Sequence, residues 1–381
     1  MPELWSSLHY FNEEFTTRSQ KVQGVQMWFS HAGQLPLSLT LTDTEDSSVQ
    51  PTVDFVKEII IPYSRRFQRL HLVLRPPQVR DLLSLPSGSL DNLEELHVVL
   101  HVGMVPASIL PAWKPIISAF SSNAKLRRFR VRLTPLVIPR IFHLPWHKLE
   151  TFRCDSSLQL EDCHELLLSC QALRKMHIRV FGIRYASVPR IEIPLPNLVN
   201  LNVQLCDEEP YDLFFRPLVL PALKTLVIYH YEGLPWSHDM YTSLLERSGC
   251  QIEELYLGTL DADSQSIDQV LTCSAKLRSL TISHNTEVEP YVFHKIGNYE
   301  IGSSLEQLYL KGTRLLDPIL TMLEARQNAM VTDDSTLSPL LFVETHCSDQ
   351  EQLAYANRIE TLQKDGIHLS LTLFPEEHFQ L

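Results

Sequence analysis

The chain has 381 residues, 44% of them hydrophobic, and its 33 basic and 45 acidic side chains give a net charge of −12. This length and apolar content supply a large core, and the acid excess argues against a nucleic-acid or membrane role for the surface as a whole. There is no apolar run of bilayer length, the opening MPELWSSLHYF lacks a secretory pattern, and the seven cysteines show no paired spacing. The expectation is a soluble, reduced, intracellular protein of cytoplasm or nucleus.

From the N-terminus, Leu35–Leu41 (LPLSLTL) alternates with period two and predicts a strand. Val53–Ile61 (VDFVKEIII) predicts a helix, and the two form a first, atypical repeat within an N-terminal cap of residues 1–62. The pattern Leu-x-x-Leu-x-Leu, with apolar substitutes, then returns ten times at intervals of roughly 23 to 33 residues. The copies begin at Phe67, Leu93, Leu126, Leu149, Leu173, Leu198, Leu223, Ile252, Leu277 and Leu305, and define a repeat region over residues 63–330. This is the signature of an α/β leucine-rich-repeat solenoid, a horseshoe with a parallel concave sheet and irregular convex helices and loops. In LEELHVVL, Leu96, Val98 and Leu100 face the core while Glu95, His97 and Val99 face outward.

Between the strands, Glu161–Ser169, Ser264–Thr272 and Leu315–Asn328 carry helix signals, the last with Pro318 near its first turn. Prolines just before repeats (Pro145, Pro194, Pro196, Pro221) break the other returns into loops. Thr42–Gln50 and Asp333–Ser338 read as loops. Residues 331–381 form a C-terminal capping repeat, with a strand at Leu340–Val343, then a helix from Ile359 stopped at Gly366 and a strand up to Leu373. The repeats lack the asparagine of the Leu-x-x-Asn form, so an asparagine ladder is not expected.

The residues Pro2, Leu4, Trp5 and Ser6, then Trp28–Gly33, then Pro36–Leu39 stand in a recurring order: a Pro-x-Leu-Trp-Ser segment, a helix, a Trp-Leu-Ser-Arg-Ser-Gly-like turn and a Pro-Leu-Ser-Leu strand. With Met322, Glu324 and Arg326 on a late helix, this resembles the mushroom-type (basidiomycete) fungal F-box proteins with leucine-rich repeats, over nearly the whole chain. The resemblance implies the substrate-receptor part of a Skp-cullin-type ubiquitin ligase. In that family the F-box helices stand just before the Pro-x-Leu-Trp segment, where this chain starts. The F-box itself is therefore expected to be missing, and the chain as given is expected not to bind a Skp-type adaptor; that partner is expected only if an upstream F-box exists.

No Gly-rich phosphate loop, Gly-x-Ser-x-Gly elbow or His-Glu-x-x-His pair occurs, so no enzyme, cofactor or metal site is expected. Cys154, Cys163, His164 and Cys170 lack knuckle spacing and read as helix and core residues. The five tryptophans read as core or cap residues, and His71, His97 and His177 share one repeat position on the concave face. Strand alternation gathers Arg128, Arg130, Arg132, Arg153, Lys175, His177 and Arg179 there as a cationic zone. Asn202, Gln204, Tyr229, Tyr256 and Tyr309 follow as an amide and aromatic zone. The expected partner is an unknown protein presenting an acidic or phosphorylated segment, because Arg forks pair with carboxylate and phosphate; the plain alternative is a solvated strand face. Protein recognition is the expected function, with a stand-alone scaffold or decoy as the alternative.

Overall fold

The computed structural model describes residues 2–11, 18–42, 56–74, 78, 81–82, 85–100, 120, 123–132, 144–182, 191–206, 212–230, 236–258, 262–282, 288–310, 315–332 and 338–373. Trp113, the predicted loop after Thr42 and the one before Ser338 lie outside these residues. The chain divides into two compact units, the first Met1–Phe181 with Ile193–Leu195 and the second Gly182–Glu192 with Pro196–Leu381.

Among the described residues, the main sheet of the first unit has seven strands: β1 (Ser7–Phe11), β2 (Leu37–Thr42), β3 (Phe67–Leu74), β4 (Glu95–Leu100), β5 (Arg128–Arg132), β6 (Thr151–Gln159) and β7 (Lys175–Phe181). Each pairs in parallel with the next in chain order, so the sheet is laid down repeat by repeat. Burial alternates along them as the sequence predicts: Leu96 and Val98 are inside, as are Phe129 and Val131. At several repeats the first leucine closes a tight turn into its strand. Leu93 N–H donates to Leu90 O at 3.0 Å and Leu173 N–H to Cys170 O at 3.2 Å. The following amide then starts the ladder, as when Glu150 N–H reaches Arg127 O at 2.8 Å. No asparagine ladder was expected, yet one asparagine locks one junction. Buried Asn123 donates to Leu90 O (2.7 Å) and Leu93 O (3.0 Å), and its Oδ1 accepts from the Lys125 and Leu126 amides.

Two features of this unit depart from the expectations. Ser7–Phe11 is a strand on the sheet edge, paired with β2, and the resemblance assigned no strand there. Trp28–His31 is not a turn but the end of helix α1 (Arg18–His31), which stops at Gly33 in the left-handed region, φ 60°. The helix runs on because Val22, Val25 and Phe29 form one buried stripe, with Phe29 edge-on to Phe67 at 5.9 Å. Trp28 instead meets Trp5 at 4.4 Å, a cap contact. The predicted helix before β3 is described from Val56, as a wide turn over Val56–Ile60 followed by Ile61–Tyr63. Helix α2 (Leu160–Leu168) follows β6 and buries Cys163 and Leu167.

The second unit repeats the scheme with β8 (Asn200–Leu205), β9 (Thr225–His230), β10 (Glu254–Gly258), β11 (Ser279–Ile282), β12 (Gln307–Leu310), β13 (Phe342–Cys347) and β14 (His368–Leu373), again parallel and in chain order. Its returns are more helical than expected: α3 (His238–Ser248), α4 (Ser264–Cys273), α5 (Pro290–Gly297), α6 (Leu316–Thr332), α7 (Asp349–Ala354) and α8 (Ala356–Lys364). Three of these helices, α3, α4 and α7, start on side-chain caps. Ser237 Oγ accepts the Met240 amide, Asp263 the Ser266 amide, and Ser348 with Glu351 closes a capping box. Gly249 ends α3 with φ 62°, a conformation cheap only for glycine.

Among the described residues, Arg326 on α6 is the largest fully buried side chain of this unit, and no carboxylate pairs with it. Its guanidinium donates to the carbonyls of Ile296, Gly302, Ser303, Leu305 and Ser338 at 3.0–3.2 Å and stacks on Tyr299 at 4.1 Å. One side chain thus satisfies the orphan carbonyls at the end of α5 and the turn before β12. Burial pushes its pKa down, as removal of a charge from water requires.

Candidate functional site

In the first unit, residues opposite the core form cross-strand rows. One row is Ser38–Arg69–Glu95–Arg128–Thr151–Lys175 and the next is Thr40–His71–His97–Arg130–Arg153–His177. The structure therefore places Arg128, Arg130, Arg153, Lys175 and His177 on one sheet face, as alternation demands. Arg132 lies beside them, its strand partner being Val99. Arg179 pairs with Ser157 beyond an irregularity in β6, where four residues of β6 span what two span in β7. Because the insertion is even-numbered, alternation survives it, and Asp155 stays on the outward face between buried Cys154 and Ser156.

Sequence reasoning did not include Asp155 and Glu95 in the site, and they reorganise it. Asp155 Oδ2 accepts Arg130 Nε at 2.8 Å, Oδ1 accepts Arg153 Nε at 2.7 Å, and His177 Nε2 stands 3.8 Å away. Glu95 takes His71 Nε2 and Arg128 Nη1, both at 3.0 Å. Burial raises both carboxyl pKa values, but the arginine bonds at Asp155, and the His71 and Arg128 bonds at Glu95, outweigh it and hold both below the usual range. Both acids occupy outward positions of the same alternation that marked the arginines, so the signal was present; counting cations without their neighbours missed it.

His97 faces His71 at 5.5 Å, and its Nε2 is buried without a hydrogen-bond partner. Burial, then the charges of Arg130 and His71, lower its pKa to about 4, so the ring is neutral at physiological pH. The His177 pKa is lowered too, by burial first and then by Arg153. Across the outward face of β3–β7, the basic residues Arg69, Arg128, Arg130, Arg132, Arg153, Lys175 and Arg179 stand against the acids Glu95 and Asp155. A net positive field remains after internal pairing.

In the second unit, Asn202, Tyr256 and Tyr309 belong to one outward row, continued by Glu344. Gln204 and Tyr229 belong to the next row, opposite Gly258. The Tyr229 and Tyr256 rings meet at 4.8 Å because Gly258 leaves room: a Cβ there would stand 2.4 Å from Tyr229 Cδ1. Burial and the hydrogen bond with Tyr256 push the Tyr229 hydroxyl up to about 12. Sequence reasoning stopped this aromatic zone at Tyr309. The structure extends it through Phe342, 4.9 Å from Tyr309, to His368, stacked on Phe342 at 4.9 Å.

The thiols of the first unit lie in its core. Burial pushes Cys154 and Cys170 up to about 12 and raises Cys163 further, so they are protonated core groups. Among the described residues no cluster of His, Cys, Asp and Glu is arranged to hold a metal ion, and no helix is long and apolar enough to cross a membrane. No protein-family model matches the sequence, and no curated protein matches it significantly.

Proposed function

We propose that the chain is a leucine-rich-repeat recognition module that binds a protein partner through the outward face of its strands, and that it does no chemistry of its own. The observation that carries this reading is the cationic face of β3–β7 in a protein of net charge −12, since segregated charge guides and orients an oppositely charged partner. The Leu-x-x-Leu-x-Leu period, and the turn that the first leucine closes at Leu93, Leu149, Leu173, Leu223, Leu277 and Leu305, support the leucine-rich-repeat assignment. The resemblance to fungal F-box proteins makes a ubiquitin-ligase substrate receptor the leading role, and a free-standing scaffold the alternative. Affinity capture from lysate, with wild-type protein and with Arg130→Glu/Arg179→Glu, with and without phosphatase, tests the reading. The expected result is a partner set lost in the double variant and weakened by salt. An identical set in all samples would refute recognition through this face. Genomic sequence upstream of Met1, and reconstitution of a Skp-type adaptor with the chain carrying any in-frame F-box found there, then separate receptor from scaffold.

A further inference from the structure

The Arg130–Arg153 pair is not an empty anion site. Both guanidiniums already converge on Asp155, whose side chain is 13% exposed while those of Arg130 and Arg153 are 42% and 43% exposed. The acid lies beneath and the outer edges of both forks face solvent. Each guanidinium has five N–H donors. Arg153 donates to Asp155 through Nε, and Arg130 through Nε and Nη2, so donors remain on both. Arg132 stands two residues along the strand from Arg130, and Arg179 two along from His177; Arg179 Nε is itself buried without a hydrogen-bond partner.

We propose that Asp155 is an internal competitor that sets the anion threshold of this face, so that a partner's single carboxylate is rejected and a phosphoryl group on a peptide is accepted. The inference rests on the recognition function proposed above and names its partner chemistry. A carboxylate brings one charge against the repulsion of Asp155 and finds the best donors taken. A phosphoryl group brings nearly two charges and three acceptor oxygens, which match the free fork edges with Arg132 and Arg179 alongside. A nucleic acid fits less well: the cations gather around one carboxylate rather than along a track, and the whole chain is acidic.

The test measures fluorescence anisotropy of a labelled Gly/Ala peptide carrying one phosphoserine, with Glu or Ser in its place as controls, and of an oligouridylate. Wild-type protein is expected to bind the phosphopeptide in a salt-sensitive manner and to show no measurable affinity for the Glu peptide. Asp155→Asn should tighten the phosphopeptide by about fivefold or more, the effect of one charge at contact distance even in the dielectric of water, and bring the Glu peptide into range. Arg132→Gln/Arg179→Gln leaves the Asp155 network intact and should weaken the phosphopeptide. Asp155→Ser runs alongside, with thermal melting of every variant. Unchanged or weaker phosphopeptide binding in folded Asp155 variants overturns the proposal, as does tighter binding of the oligouridylate than of the phosphopeptide. If both Asp155 variants unfold, the residue holds the fold rather than the threshold, and the proposal is equally overturned. The recognition function is judged separately, because the capture experiment uses wild-type protein and an arginine variant in which Asp155 is intact.

Discussion

At the residue scale, position within the strand period decides whether a side chain carries stability or remains available for binding. Leu201 and Leu226 are register partners at inward positions, each at most 1% exposed. Leu→Ala at either is expected to cost about 2–5 kcal/mol, lost transfer energy plus a residual cavity. Asn202→Ala, one residue away on the outward face, should stay within about 0.5 kcal/mol. Urea melts of the three variants check this, and equal losses would mean the faces are reversed. His97 gives a pH signature. Its folded pKa of about 4 lies below the ordinary 6.5, so between those values the unfolded chain binds more protons than the native one. Its contribution is complete above about pH 6.5 and is lost as the pH falls toward 4. Glu95 and Asp155 have lowered carboxyl pKa values, so their losses begin only below the ordinary 4.5 and 3.8. The melting temperature should therefore decline from pH 6.5 to 4.5, with His177 adding in the same direction. His97→Gln should flatten that decline; an unaltered slope would show that the ring titrates normally.

At the element scale, the helices of the second unit are held by caps and by one buried arginine rather than by composition. Arg326 joins α6 to five carbonyls from the end of α5, the turn before β12 and Ser338. Arg326→Lys keeps the charge but loses the planar fork, and Arg326→Met removes every donor. Both are expected to destabilise by about 3 kcal/mol or more, since charged hydrogen bonds contribute roughly 1.5–3 kcal/mol each and the orphaned carbonyls stay buried. Chemical denaturation tests this, and a Lys variant as stable as wild type would show that the carbonyls find other partners. The surface ladders Lys224–Glu253 (2.6 Å) and Arg278–Glu306 (2.8 Å) contrast with it. Such exposed pairs contribute about 0–1 kcal/mol and align neighbouring repeats rather than hold them.

At the scale of the whole molecule, a repeat array needs closed ends, because each unit buries its apolar face only against a neighbour. In the second unit β14 pairs along the full length of β13, and Ile359, Leu362, Ile367 and Leu369 close the core behind it. A chain ended at Cys347 would bare the edge of β13 and the apolar faces of Val343 and Leu308, which are 0% and 1% exposed in the intact protein. It is expected to aggregate on size-exclusion chromatography, whereas the full chain should not. A monodisperse truncated protein would show that α8 and β14 are dispensable.

The sequence by itself located the strands from β2 to β14 and their faces, though not β1. Ten recurrences of one apolar period located ten strands, and the Leu340–Val343 and Ile359–Leu373 patterns located the last two, because a period of two leaves a strand one stable orientation against a core. It also put every candidate site residue on an outward position. Only the tertiary structure decided what those residues do to one another. That Glu95 lies across from Arg128 depends on register between strands 33 residues apart in sequence, and that Asp155 reaches Arg130 depends also on the irregularity in β6. No local pattern encodes such pairings. The helices α3, α5 and α7 were legible only in their caps, Ser237 with Gly249, Pro290, and Ser348 with Glu351, since short amphipathic returns draw their stability from the sheet they cover. The same holds for Arg326: a late-helix arginine reads as surface until packing brings five carbonyls around it, and then its burial follows from their need for donors.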